Sequence, residues 1–293
     1  MQELEEVRDL IKAGKLSESR TKLATLIRDE PQNLSLRNAY FEALCFQGDF
    51  DRARKQLEAI ATLGTSQDPA LQDHRFRALT DLYHNAMTAE TARTQFFSEG
   101  RVPTMLRKPP ENIRKRLQAA MEIRSGDIAA ASQCVRQAES LECPLNARMN
   151  GALRVGFREA DDLLAPILEF HASSGDYYWI ELDLVQSIHP GPVRFWLHTL
   201  WRPATIVFKA GDPLNGLIPA LYYGSSSSSN EAVQLGRTTE WSGSSDTIQR
   251  GSGQRLFLSG EESFPVLEFD TLEFVSPGMN ESHDIAGKGH ADA

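Results

Sequence analysis

The sequence predicts an α+β protein of two domains. An amino-terminal TPR-like helical repeat domain spans residues 1–165, a small antiparallel β-rich domain spans 166–277, and 278–293 form a disordered tail. Three observations predict this. A glycine-centred turn recurs 34 residues apart, at Gly14 and Gly48, which is the period of a helix–turn–helix repeat. Charge divides unevenly: residues 1–165 carry 24 acidic and 24 basic side chains, whereas 166–293 carry 16 and 7 and so hold the whole net charge of −9. Aromatic residues concentrate in the same part, with all four Trp and 15 of the 24 aromatic residues in 166–293.

The helical elements follow in order. Gly14-Lys15-Leu16-Ser17-Glu18-Ser19 matches Gly48-Asp49-Phe50-Asp51-Arg52-Ala53, and Leu23, Leu26 and Ile27 correspond to Leu57, Ile60 and Ala61. The glycine suits the tight turn, and the small residue five positions later lets two helices approach. A third copy begins at Gly126, with Ala131 in the small position, but lies 78 residues beyond Gly48 rather than the 68 of two repeats. The interval holds a long helix at about 70–97, then Pro103, Pro109 and Pro110 as breakers. A further helix starts near Glu111, with Ile113, Leu117, Ala120 and Met121 at helical spacing. Helices near 145–156 and 159–165 are expected to close an irregular array of about seven. Stacked repeats leave a concave face, which either holds a peptide or helix or only braces the neighbouring domain.

Strands are expected at Tyr177-Tyr178-Trp179-Ile180, at 204–209 and 216–222 as a hairpin, at 254–258 and 264–269, and at Leu272-Glu273-Phe274-Val275 as a final edge. The five serines from Ser225 to Ser229 read as a flexible surface loop.

Several classes of chemistry are unsupported. The acidic balance argues against a general nucleic-acid binder. No secretory signal and no apolar run of membrane length is visible, and three cysteines make no disulfide framework, so a reducing cytoplasm is expected. Gly251-Ser252-Gly253-Gln254-Arg255 lacks the order of a phosphate loop. Cys134 and Cys143 have no nearby histidine, and His189 and His198 have no third ligand, so no metal or other cofactor is expected. Asp161-Asp162 and Glu261-Glu262 read as solvated acids, and no G-x-S-x-G elbow occurs, so no catalytic residue is assigned.

Five segments in order carry a resemblance. They are Tyr177-Tyr178-Trp179-Ile180, Leu200-Trp201-Arg202-Pro203-Ala204, the Gly216–Tyr222 stretch, Leu235-Gly236-Arg237-Thr238-Thr239-Glu240-Trp241, and Gly253-Gln254-Arg255-Leu256-Phe257-Leu258. Together they resemble the ImpE/TagJ family of type VI secretion system accessory proteins over roughly residues 4–275. Two departures fall in loops: Tyr223-Gly224 and the serine run replace the family's proline and glycine, and Glu240 replaces its common Asp. The resemblance implies a non-enzymatic cytoplasmic accessory that binds the amino-terminal helix of the small subunit of the contractile sheath. It also implies an influence on sheath assembly or on handling by the recycling AAA+ ATPase. The candidate interface residues are Tyr40, Leu44 and Phe50 in the second repeat, and Trp201, Arg202 and Trp241 in the β-rich part, each with core packing as the alternative. The other readings are a scaffold that docks elsewhere on the secretion machinery and an unrecognised hydrolase in the β-rich part.

Overall fold

The computed structural model describes residues 2–67 and 74–275. The expected tail at 278–293 and the first residues of the helix expected at 70–97 lie outside them. Seven helices lead: α1 Gln2–Lys12, α2 Leu16–Asp29, α3 Leu34–Phe46, α4 Phe50–Gln67, α5 His74–Glu99, α6 Glu111–Ser125 and α7 Ile128–Glu139. The α1–α2 and α3–α4 turns need the left-handed backbone of Gly14 (φ 80°) and Gly48 (φ 69°). The small residues five positions after each turn glycine, Ser19, Ala53 and Ala131, are all 0% exposed, because the paired helices meet there. A larger side chain at these points would force the helices apart, at about 1–3 kcal/mol. Asn33 caps α3 by accepting the Ser35 and Leu36 amides, and Asp127 caps α7 through the Ala130 amide.

The helices expected at 145–156 and 159–165 are absent. Residues Leu145–Met149 form β1 and Ala152–Glu159 form β2, while 161–165 are turns. The reason is the Asn150-Gly151 pair, whose φ angles of 50° and 83° make a tight hairpin turn that no helix accommodates. The change from helix to strand therefore falls between Glu139 and Leu145, well ahead of the shift in composition near 165.

The remaining strands are β3 Ile167–Ala172, β4 Tyr177–Glu181, β5 Val185–Pro190, β6 Trp201–Phe208, β7 Leu214–Pro219, β8 Thr239–Ser242, β9 Arg250–Gly253, β10 Leu256–Ser259, β11 Glu262–Pro265 and β12 Leu272–Val275; a short helix, α8, spans Glu231–Gln234. Ten strands form one antiparallel sheet in the order β11-β10-β2-β1-β12-β5-β6-β7-β3-β4, and β8–β9 form a separate hairpin. The expected β6–β7 hairpin is present, with Trp201 opposite Pro219 and Ile206 opposite Leu214. The expected edge at 272–275 is instead central, because β12 is held between β1 and β5. At the β4 edge, Thr104 exchanges backbone hydrogen bonds with Tyr177 and Trp179 and covers part of it.

Three apolar cores hold the chain together. One lies against the sheet alone, around Phe157, Phe170, Ile188, Ile206, Phe257 and Phe269. The other two are shared. Residues of α1–α5 pack with Leu197, Leu200, Trp201, Leu217, Leu221 and Leu235. Phe96, Ile113, Ala131 and Val135 pack with Leu163, Ile167, Tyr177 and Trp179. The helical region and the β-rich region thus rest on common apolar contacts.

Candidate binding groove

A groove of about 700 Å³ opens between the helices and a loop of the β-rich region. Leu4, Val7 and Ile11 of α1 form one wall, Leu34 and Ala39 of α3 with Ile60 of α4 form the floor, and Phe76 of α5 closes one side. The apolar residues of α1 fall three and four apart, so a single helix face lines the wall. The opposite lip comes from 3₁₀ turn residues: Trp196 stacks on Phe46 with ring centroids 4.5 Å apart, which leaves Phe195 60% exposed beside it. Arg8, Lys12 and Arg194 complete the lining. Glu42 is its one carboxylate among the described residues; burial pushes its carboxyl up to about 7, against a hydrogen bond from Asn38.

The α1 wall is held by a clasp from the β-rich region. Both carboxylate oxygens of Glu231, at the start of α8, accept backbone amides at the start of α2, from Leu16 at 2.9 Å and Ser17 at 2.8 Å. Arg237 donates to the last carbonyls of α1, those of Ile11 and Lys12. An anion thus sits at a helix N-terminus and a cation at a helix C-terminus, each opposite the favourable end of the helix dipole. Burial alone would raise the Glu231 carboxyl, but hydrogen bonds from Ser17 and Leu16 and the Lys15 charge hold it below its ordinary value. The Gly14 and Gly48 turns both face this segment: a Cβ on Gly14 would lie 3.2 Å from Arg237 Nη1, and one on Gly48 would lie 2.9 Å from Ser226 Oγ. Glu231→Ala is expected to cost about 1–2 kcal/mol. Hydrogen exchange followed by mass spectrometry should show faster exchange over α1 and the start of α2 and unchanged protection in α6 and α7.

The serine run, expected to be a flexible loop, is a built part of this region. Ser225–Ser227 form a 3₁₀ turn, and buried Ser225 donates to the Tyr222 carbonyl (2.6 Å) and accepts the Gly253 amide (2.8 Å). Asp161, expected to be solvated, is 0% exposed; it pairs with Arg250 at 2.7 Å and accepts the Leu163 and Gly251 amides.

Elsewhere, a buried polar network joins α5 to the sheet. Arg93 makes a two-pronged contact with Glu169 (2.9 and 2.8 Å) and donates to the Leu221 carbonyl and to Glu90. Arg255 donates to the same Glu169 carboxylate, as does the Tyr177 hydroxyl, which in turn accepts the Trp179 indole N–H at 2.7 Å. Burial alone would raise the Glu169 carboxyl, but the Arg93 and Arg255 guanidinium groups outweigh it and hold it well below the usual range. Buried His171 lies 3.7 Å from Glu90, and burial pushes its ring down to about 4, so it is neutral at pH 7. Both acids are held by arginines: Arg93 pairs with Glu90 and Glu169, and Arg255 with Glu169.

The sequence-based interface residues are dispersed. Leu44 is 0% exposed and Tyr40 is 8% exposed, both in the shared helical core, and half-buried Phe50 stacks over Trp201. Trp201 is buried toward the helices, where its indole N–H donates to Glu90 at 3.0 Å. Its neighbour Arg202 is buried on the sheet side, donating to the Val266 carbonyl at 2.6 Å and lying over Phe269. Trp241 is exposed on the β8–β9 hairpin, edge-on to Tyr222, away from the groove lining. The groove residues Val7, Ile11, Ala39 and Phe195 and the clasp were not singled out. Arg237 and Arg255 did stand in the segments that carry the family resemblance, and Glu169 interrupts the otherwise apolar Ile167-Leu168-Glu169-Phe170.

Comparison with known proteins agrees with this architecture. The family model described as ImpE protein matches residues 153–273. Over 269 residues the chain is 28% identical to the type VI secretion system accessory component TagJ of Pseudomonas aeruginosa, covering 91% of this chain and 90% of that one. The chain is thus similar to the TagJ protein over most of its length and to the ImpE family over its β-rich region. The same fold occurs in a crystal structure of a protein from Vibrio parahaemolyticus, with a TM-score of 0.81 at 22% identity, over 92% of this chain and 98% of that one. Among the described residues, no helix is long and apolar enough to cross a membrane.

Proposed function

We propose that this chain is a cytoplasmic accessory and adaptor protein of a type VI secretion system whose TPR-like helical region receives an amphipathic helix in the groove lined by α1, α3 and Phe195. The occupant is the amino-terminal helix of the small sheath subunit, and its capture influences sheath assembly or handling by the recycling AAA+ ATPase. The observation that carries this reading is the groove itself: about 700 Å³, apolar along its walls, cationic at Arg8, Lys12 and Arg194. An amphipathic helix lays apolar anchors into such a site and keeps its polar face in water. Homology to an accessory component supports the wider role.

The test is a calorimetric titration of the purified chain with the small sheath subunit, with that subunit lacking its first helix, and with the helix as a synthetic peptide. Binding of the first and third but not the second is expected. Equal binding of the first two defeats the groove reading. It would favour the scaffold reading, which draws support from the two cores that the helical and β-rich regions share.

A further inference from the structure

We propose that Glu42 sets the specificity of the groove, selecting an occupant helix that presents one lysine or arginine within an otherwise apolar stripe. This rests on the reading that the groove holds a helix. Glu42 and Asn38 lie one turn apart on the face of α3 that also presents Ala39 to the groove. The surrounding lining is apolar: Val7 and Ile11 on α1, Ile60 on α4, Phe76 on α5. The hydrogen bond to this carboxylate comes from the neutral Asn38 amide, at 3.3 Å.

Among the described residues, no cation lies within ion-pair distance of Glu42. Arg8 is engaged by Glu5 at 3.0 Å and Lys12 by Asp9 at 3.4 Å. The other titratable groups that feel its charge are the Cys45 thiol on α3 and the Tyr83 hydroxyl on α5, and burial followed by the Glu42 charge raises both. Arg54 on α4 acts on Cys45, and Arg194 stands in the lining on the far lip. Glu42 is half-buried, and a carboxylate that has lost part of its water without a counter-charge is costly to the free protein. A wholly apolar occupant would remove its remaining water and leave it either unpaired or protonated. A basic side chain offers a charge-assisted pair instead, and its long aliphatic stem packs against the apolar walls. Arg194 on the far lip, with no acid paired to it among the described residues, disfavours further basic residues on the occupant, so position as well as charge is read.

The test compares the full chain with Glu42→Gln, using the first-helix peptide of the small sheath subunit and variants in which each lysine or arginine is changed singly to Gln. In the unaltered chain, one such change is expected to weaken binding on the order of 10-fold, and the same change should have little effect in Glu42→Gln. Burial raises the Glu42 carboxyl to about 7, so affinity for the unaltered peptide should increase on the order of 10-fold from pH 6 to pH 8 as the carboxylate forms. That increase should be absent in Glu42→Gln. Glu42→Gln removes an unpaired, half-buried charge without changing shape, so its melting temperature at pH 8 should equal or exceed that of the unaltered chain. A peptide that binds both proteins alike, with every basic change additive and no such pH dependence, overturns the proposal while leaving the groove reading intact. A peptide that does not bind the unaltered chain defeats the groove reading and this inference with it.

Discussion

Arg93→Met is expected to destabilise the whole chain by about 3–5 kcal/mol, measured by urea unfolding at pH 7. The guanidinium holds Glu169 through two hydrogen bonds of 2.9 and 2.8 Å, reaches Glu90, and also donates to the Leu221 carbonyl. Arg93 is 3% exposed and Glu169 0% exposed, so water cannot take its place. Methionine fills most of the volume of the stem but leaves Glu90, Glu169 and a carbonyl short of donors, and this uncompensated charge is the source of the cost. Arg255 stays beside Glu169 and softens the loss, which places the expectation within a range rather than at its upper end. The double variant Arg93→Met, Glu169→Gln should recover part of the stability, because it removes the orphaned charge along with its partner. A change below about 1 kcal/mol for Arg93→Met would show that the network is not energetically coupled to the fold.

The network also shows where local sequence stops informing. The turns at Gly14 and Gly48 and the small residues Ser19, Ala53 and Ala131 were legible, because a tight turn and a close helix approach impose their demands on neighbouring positions. The β6–β7 hairpin was legible for the same reason: its two apolar runs flank a short Gly-Asp-Pro turn. The helix expected at 145–156 gives way to β1 and β2 because the local turn demand of Asn150-Gly151 outweighs the apolar spacing around it. The central place of β12 has no local signature, since a short strand reads the same at an edge or between two partners. The contact of Arg93 with Glu169, and the clasp of Glu231 and Arg237 on α1 and α2, join residues far apart in the chain. Only the side chains themselves hinted at them: a glutamate inside an apolar strand, and arginines within otherwise unremarkable loop motifs. One lip of the groove comes from Phe195 and Trp196, which lie far in the chain from the helices that line the rest.

That lip supplies the sharpest test of where a partner docks. Phe195→Asp is expected to weaken binding of the first-helix peptide by about 10–100-fold while changing stability by less than about 0.5 kcal/mol. The two effects separate because Phe195 is 60% exposed in the free protein, whereas its neighbour Trp196 is stacked on Phe46 and anchors the loop. Burying a phenylalanine ring under a partner is worth about 1.5–3 kcal/mol, and replacing it by a carboxylate adds the cost of covering a charge with apolar surface. Trp241→Ala is the matched control: Trp241 is also a large exposed aromatic, at 42%, but it stands on the β8–β9 hairpin and contributes nothing to the groove lining. Its loss should leave peptide affinity within about twofold. The reverse pattern, with Trp241→Ala abolishing binding and Phe195→Asp neutral, would move the docking surface to the β8–β9 hairpin around Trp241. Calorimetry on the two variants, with matching melting temperatures as the check on folding, decides between these surfaces.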